Sequence, residues 1–87
     1  MIEGKTRSGF EYKIPKENFD NYELVEQLAD AEENGLLFPK AVRTLLGKEL
    51  AEELKNHVRT KAGIVPADKM TNEIMEIFQS KNETKNS

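Results

Sequence analysis

Apolar and polar residues alternate with a period of two near the N-terminus of the chain. The segment FEYKI at residues 10–14 has the alternation typical of a half-buried strand. A weaker strand pattern covers residues 2–5, and the turn residues between them include Gly9, which tolerates a positive φ. Pro15 ends the second strand because it has no N–H to donate. The pattern predicts a hairpin that packs on helices or pairs with another chain.

After Pro15 the apolar residues recur at helical spacing. A first long helix is expected to begin at Asp20, with Glu23 completing a capping box, and to close at Gly35 in the left-handed conformation. A short helix ending at Gly47 follows, then a helix over 48–61 closed by Gly63, and a final helix through 67–78. We therefore predict an α+β fold, mainly α, with an N-terminal β-hairpin followed by about four short helices in one small domain.

One domain is expected to span residues 1–79, because an 87-residue chain offers room for a single limited core. Residues 80–87 lack apolar side chains and are predicted to form a disordered polar tail. No apolar run approaches the roughly 20 residues of a membrane-spanning helix. The composition favours a cytoplasmic protein without a membrane partner.

The residue types needed for catalysis are scarce. The chain has no cysteine and a single histidine, His57, so a thiolate or histidine-based metal site is not expected. Ser8 stands beside a turn glycine, which accounts for it on conformational grounds. We predict no enzyme activity, no catalytic residue, no cofactor and no metal.

Charge is distributed unevenly along the chain. Residues 16–35 carry seven acids against one lysine, and residues 36–63 carry six bases against three acids. The acidic and the basic segment can attract each other, either within the fold or between two copies of the chain. The alternative is that both are ordinary solvated faces.

An alternative hypothesis is a small helix-turn-helix-like DNA-binding regulator, formed by the two helices around Gly47. The second of these helices would present Glu49, Glu52 and Glu53 near the DNA backbone, which disfavours binding, and the sequence pI is about 5.2. We therefore expect no nucleic-acid partner.

Binding to another protein is the remaining class of function. The candidate partner-binding residues are Leu36, Leu37 and Phe38, in an apolar connector, with Phe10 and Tyr12 on the hairpin face. For the three connector residues, together with Ile64 and Val65 of a second connector, the alternative is that most of these side chains fill the ends of a thin core.

Several segments together resemble one known family. They are KTRSGFEY at 5–12, LVEQLA at 24–29, LLG at 45–47 and GIVP at 63–66, followed by the closing helix. This order is similar to that of phage tail assembly chaperones, small proteins encoded before the tape-measure gene in siphophages and prophages. The resemblance covers about residues 5–79.

The resemblance implies a mostly helical chaperone that binds the tape-measure protein in the cytoplasm of the bacterial host. It also implies help with tail-tube assembly, contact with the tail-tube protein, self-association into a homo-oligomer and absence from the mature virion. No binding residue can be carried over from the family.

Overall fold

The chain begins with an antiparallel hairpin of β1 (Ile2–Lys5) and β2 (Glu11–Ile14), in which Ile2 lies opposite Ile14. The structure, a computed structural model, describes the backbone of residues 1–85 and the side chains of residues 1–80. Gly9 adopts a φ of 97° in the connecting loop. Along β2, buried and exposed side chains alternate as the sequence pattern predicts.

Helices make up the rest of the fold. They are α1 (Lys16–Phe19), α2 (Tyr22–Glu33), a single 3₁₀ turn (Gly35–Leu37), α3 (Phe38–Val58) and α4 (Ala67–Lys85). The predicted architecture, mainly helical with an N-terminal hairpin, is confirmed. Of the helices in the described part of the chain, none is long and apolar enough to cross a membrane.

Gly47 divides α3 into two halves, residues 38–46 and 48–58, with a kink between them. Its φ of 81° and ψ of 166° lie outside the helical region, in a part of backbone space that is essentially restricted to glycine. The predicted break at Gly47 is confirmed. The two halves therefore point in different directions while remaining directly connected.

The predicted N-cap of the first long helix is wrong by one residue. Asp20 closes the short helix α1 instead, where its N–H donates to the Lys16 carbonyl oxygen at 3.2 Å. Asn21 caps α2, because its Oδ1 accepts the Glu23 N–H at 2.9 Å. The sequence pattern gave no sign of α1, which has only one turn.

Gly35 and Gly63 also differ from their predicted roles. Gly35 begins the 3₁₀ turn and is not left-handed, because Asn34 turns the chain directly into the next helix by accepting the Leu36 N–H at 3.1 Å. Gly63 does have a positive φ, but it lies beyond the end of α3 at Val58. There it closes a turn in which its N–H donates to the Thr60 carbonyl oxygen.

The buried apolar side chains of residues 1–80 form one core, which lies where the hairpin meets the helices. Helix α3 packs against α2, α4 and β2, and α4 also contacts β1. The largest fully buried side chains are Ile14, Leu24, Leu45, Leu54, Ile74 and Ile77. Helix α4 continues beyond the predicted domain end at residue 79, through Lys85. Residues 86–87 of the predicted tail lie outside the described residues.

Candidate functional site

An apolar groove of about 810 Å³ opens between α2, both halves of α3 and the beginning of α4. Its lining is mostly aliphatic and aromatic, and includes Leu28, Phe38, Val42, Ala51, Met70 and Met75. Concave sites with a predominantly apolar lining and few polar groups are typical of ligand and peptide binding. This groove is the candidate functional site.

Helical spacing places the lining residues on inward faces. Leu28 and Ala31 are three residues apart on α2, and Phe38 and Val42 are four apart on α3. The break at Gly47 brings Ala51, on the second half of α3, to the same groove as Val42 on the first half. The small side chain of Ala51 leaves volume that a larger residue would fill.

Charged side chains also line the groove. Three are basic (Arg43, Lys48, Lys55) and two are acidic (Glu32, Glu52). Lys55 Nζ and Glu52 Oε1 form an ion pair at 2.7 Å, one helical turn apart. The hydrogen bond and charge of Lys55 lower the pKa of Glu52, with smaller contributions from Arg59 and Lys48. Glu52 therefore lies among cations.

The predicted connector residues lie beside this groove. Phe38 is half-buried, packs against the core and lines the groove. Leu36 and Leu37 are 87% and 43% exposed, and they stand in the chain between two lining residues, Gly35 and Phe38. Only Phe38 of these three residues helps to fill the core.

Phe10 and Tyr12 are placed differently from the connector. They are 5% and 7% exposed and belong to the core. The Tyr12 hydroxyl forms a hydrogen bond with Ser80 Oγ at 2.6 Å, on α4. The ring centroid of Phe10 lies 5.4 Å from that of His57. The hairpin face is thus covered by the protein's own helices, and these two side chains offer little surface to a partner.

A polar cluster that the sequence did not predict joins the hairpin loop to the helices. Glu73 is buried on α4, and its two carboxylate oxygens accept hydrogen bonds from the hydroxyls of Thr6 (2.7 Å) and Ser8 (3.0 Å). Ser8 Oγ also lies 3.0 Å from His57 Nε2. These residues are up to 67 positions apart, so no local sequence pattern could reveal the cluster.

The hydrogen bonds of Ser8 account for the placement of its hydroxyl in this cluster. A serine hydroxyl has one proton, and Ser8 donates it to Glu73. The direction of the hydrogen bond between Ser8 Oγ and His57 Nε2 follows the tautomer of the histidine. The cluster links the hairpin loop to α4.

A second, more polar cleft of about 670 Å³ lies between the hairpin and the second half of α3. Four acids line it: Glu3, Glu11, Glu49 and Glu53. Glu49 and Glu53 thus face this cleft, whereas Glu52 and Lys55 face the apolar groove. The second half of α3 therefore presents two of its three acids towards the hairpin, and both of its lysines, with Glu52, line the groove.

Comparison of the chain with protein-family models, curated proteins and solved structures gave no match. The groove and the sequence resemblance to tail assembly chaperones are therefore the two grounds for a functional proposal.

Proposed function

We propose that the chain is a non-enzymatic chaperone of phage or prophage tail assembly, which binds helical segments of the tape-measure protein. The apolar groove between α2, α3 and α4 is the observation that carries the proposal. Its lining and its volume of about 810 Å³ suit several aliphatic side chains from one face of a helix.

The tape-measure protein, the client of the proposed chaperone, has a physical property that requires such a groove. A long helix with an apolar stripe exposes that stripe until it reaches its final partners, and exposed apolar stripes promote aggregation. A small charged protein with an apolar groove covers part of the stripe and keeps the client in solution. The groove binds residues spaced at i, i+3, i+4 and i+7.

Leu36 provides a second support. It is 87% exposed, so it adds little to the stability of the isolated domain. A large aliphatic side chain beside an apolar groove extends the apolar surface that a helix can contact. Contact with the tail-tube protein, self-association and action in the host cytoplasm complete the proposal, and these rest on the resemblance alone.

Solubility of the client tests the proposal. The chain is co-expressed with long helical fragments of a tape-measure protein, and the soluble fraction of the fragments is measured. We expect Leu36→Asp and Met75→Glu to reduce that fraction, because each places a charge on or beside the apolar surface. Ile64→Asp is the matched control, since Ile64 is 61% exposed and does not line the groove.

Circular dichroism must first show that each variant has the helicity of the wild-type protein. If folded Leu36→Asp and Met75→Glu keep the client as soluble as the Ile64→Asp control does, the groove is not the client site. If the wild-type chain itself does not increase client solubility, the chaperone function is wrong.

A further inference from the structure

The second half of α3 separates its charges between two sides. Glu49 and Glu53 face the cleft beside the hairpin, and Glu52 and Lys55 face the apolar groove, with Lys48 reaching both. A helix that enters the groove therefore meets two lysines and one acid of this half of α3, while Glu49 and Glu53 face the other cleft.

The acidic side chains at the groove do not balance its bases. Glu52 is already paired with Lys55 at 2.7 Å, and the hydrogen bond and charge of Lys55 are the main causes of its lowered pKa. Among the described side chains, neither Arg43 nor Lys48 takes part in an ion pair. Glu32, on α2, is the remaining acid of the lining. Apart from the Glu52–Lys55 pair, the groove lining therefore has two exposed bases, Arg43 and Lys48, and one acid, Glu32.

The apolar part of the groove is expected to discriminate weakly. Met70 and Met75 both line it, and methionine adapts its flexible side chain to apolar groups of different shape. Helices with leucine, isoleucine or methionine on the buried face should therefore fit similarly. Selection among helices must come from the charges along the edge of the groove.

We propose that the groove selects amphipathic helices that carry acidic side chains next to their apolar stripe. The inference rests on the proposed function and adds the charge of the client segment to it. Arg43 and Lys48 are the selecting residues: they attract a flanking carboxylate and repel a flanking ammonium group. Charges at such an edge act mainly on the association rate and on the dependence of binding on salt.

Binding of three synthetic helical peptides to the full chain tests this inference. The peptides share one leucine stripe and carry glutamate, glutamine or lysine along its flank, and fluorescence anisotropy gives each Kd. We expect the glutamate peptide to bind more tightly than the glutamine peptide by roughly threefold to thirtyfold at low salt, as two exposed ion pairs allow. The lysine peptide should bind most weakly, and added salt should reduce the differences.

A double charge reversal, Arg43→Glu with Lys48→Glu, should invert the order of the glutamate and lysine peptides. Lys16→Glu with Lys61→Glu is the matched control, because it changes the net charge equally at exposed positions outside the groove. An inversion by the control pair as well would assign the effect to net charge and overturn the inference.

The outcomes also separate this inference from the proposed function. Equal binding of the three peptides, or tighter binding of the lysine peptide, would overturn the charge selection and leave helix binding intact. Absence of binding by all three peptides would overturn both.

Discussion

Replacing Gly4 with alanine tests how firmly the hairpin is fixed to α4. Gly4 lies opposite Tyr12 in the hairpin register, and the Tyr12 ring crosses directly over it. A Cβ on Gly4 would lie 2.6 Å from Tyr12 Cζ and still closer to the phenol oxygen. The ring cannot move aside freely, because Tyr12 is buried and its hydroxyl is bound to Ser80.

The cost follows from the contacts that must change. Forcing an extra carbon into a packed site costs about 1–3 kcal/mol, and loss of the Tyr12–Ser80 hydrogen bond adds about 0.5–1.5 kcal/mol. Removing a glycine from a strand returns about 0.5–1 kcal/mol. We therefore expect Gly4→Ala to lower the free energy of unfolding by about 0.5–4 kcal/mol. Each kcal/mol lowers Tm by roughly 4–8 °C in a domain of this size.

Thermal and urea denaturation, followed by circular dichroism, measure this change. Gly35→Ala is the matched control, because a Cβ there meets no atom within 4 Å and Gly35 has no positive φ. The control should be neutral or slightly stabilising. A Gly4→Ala variant as stable as the Gly35→Ala control would refute the close packing of Tyr12 over Gly4.

A double variant separates the clash from other effects of alanine. Tyr12→Phe removes the oxygen that lies nearest to the new Cβ. Gly4→Ala should therefore cost less in the Tyr12→Phe background than in the wild-type background. Strictly additive losses would show that the two residues do not meet as described.

Two further predictions concern α2 and α3. Asn21→Ala should destabilise the protein by about 0.5–2 kcal/mol in urea denaturation, because α2 loses its N-cap, and Asn21→Ser should restore most of the loss; equal losses for the two variants would contradict the cap assignment. Lys55→Ala should raise the pKa of Glu52 towards its ordinary value in an NMR titration, because Lys55 is the main cause of the lowering. The folded-state pKa of Glu52 is lowered, so the stabilisation from this pair is present above the unfolded-state pKa and is lost as the pH falls through the lowered value. The part of the stability difference between Lys55→Ala and wild type that depends on pH should therefore disappear in acid, and a difference that does not change with pH would contradict this linkage.

Local patterns were sufficient to predict the hairpin and the major helices. The alternation at residues 10–14 and the break at Gly47 both depend on neighbouring residues, and both are confirmed. The N-cap was wrong because the one-turn helix α1 uses Asp20 as its end. Helices of one turn have too few residues to show a hydrophobic period.

The candidate site was only partly predictable, because it is formed by tertiary packing. The apolar connector predicted Phe38 as a partner-binding residue, and Phe38 lines the groove. Met70 and Met75 join the groove only when α4 packs beside α3, and no local pattern shows that arrangement. Phe10 and Tyr12 appeared as possible surface residues because the sequence does not show which helices cover the hairpin.

The hydrogen bonds between the hairpin and α4 have a consequence for synthesis of the protein. Ser8 is bound to Glu73 and Tyr12 to Ser80, so the partners are separated by 65 and 68 positions. A ribosome makes the hairpin first and α4 much later, and an isolated hairpin is marginally stable. The nascent hairpin can contact α3 before α4 has emerged, but its hydrogen bonds to Glu73 and Ser80 form only afterwards, so the domain reaches its folded state only after that point.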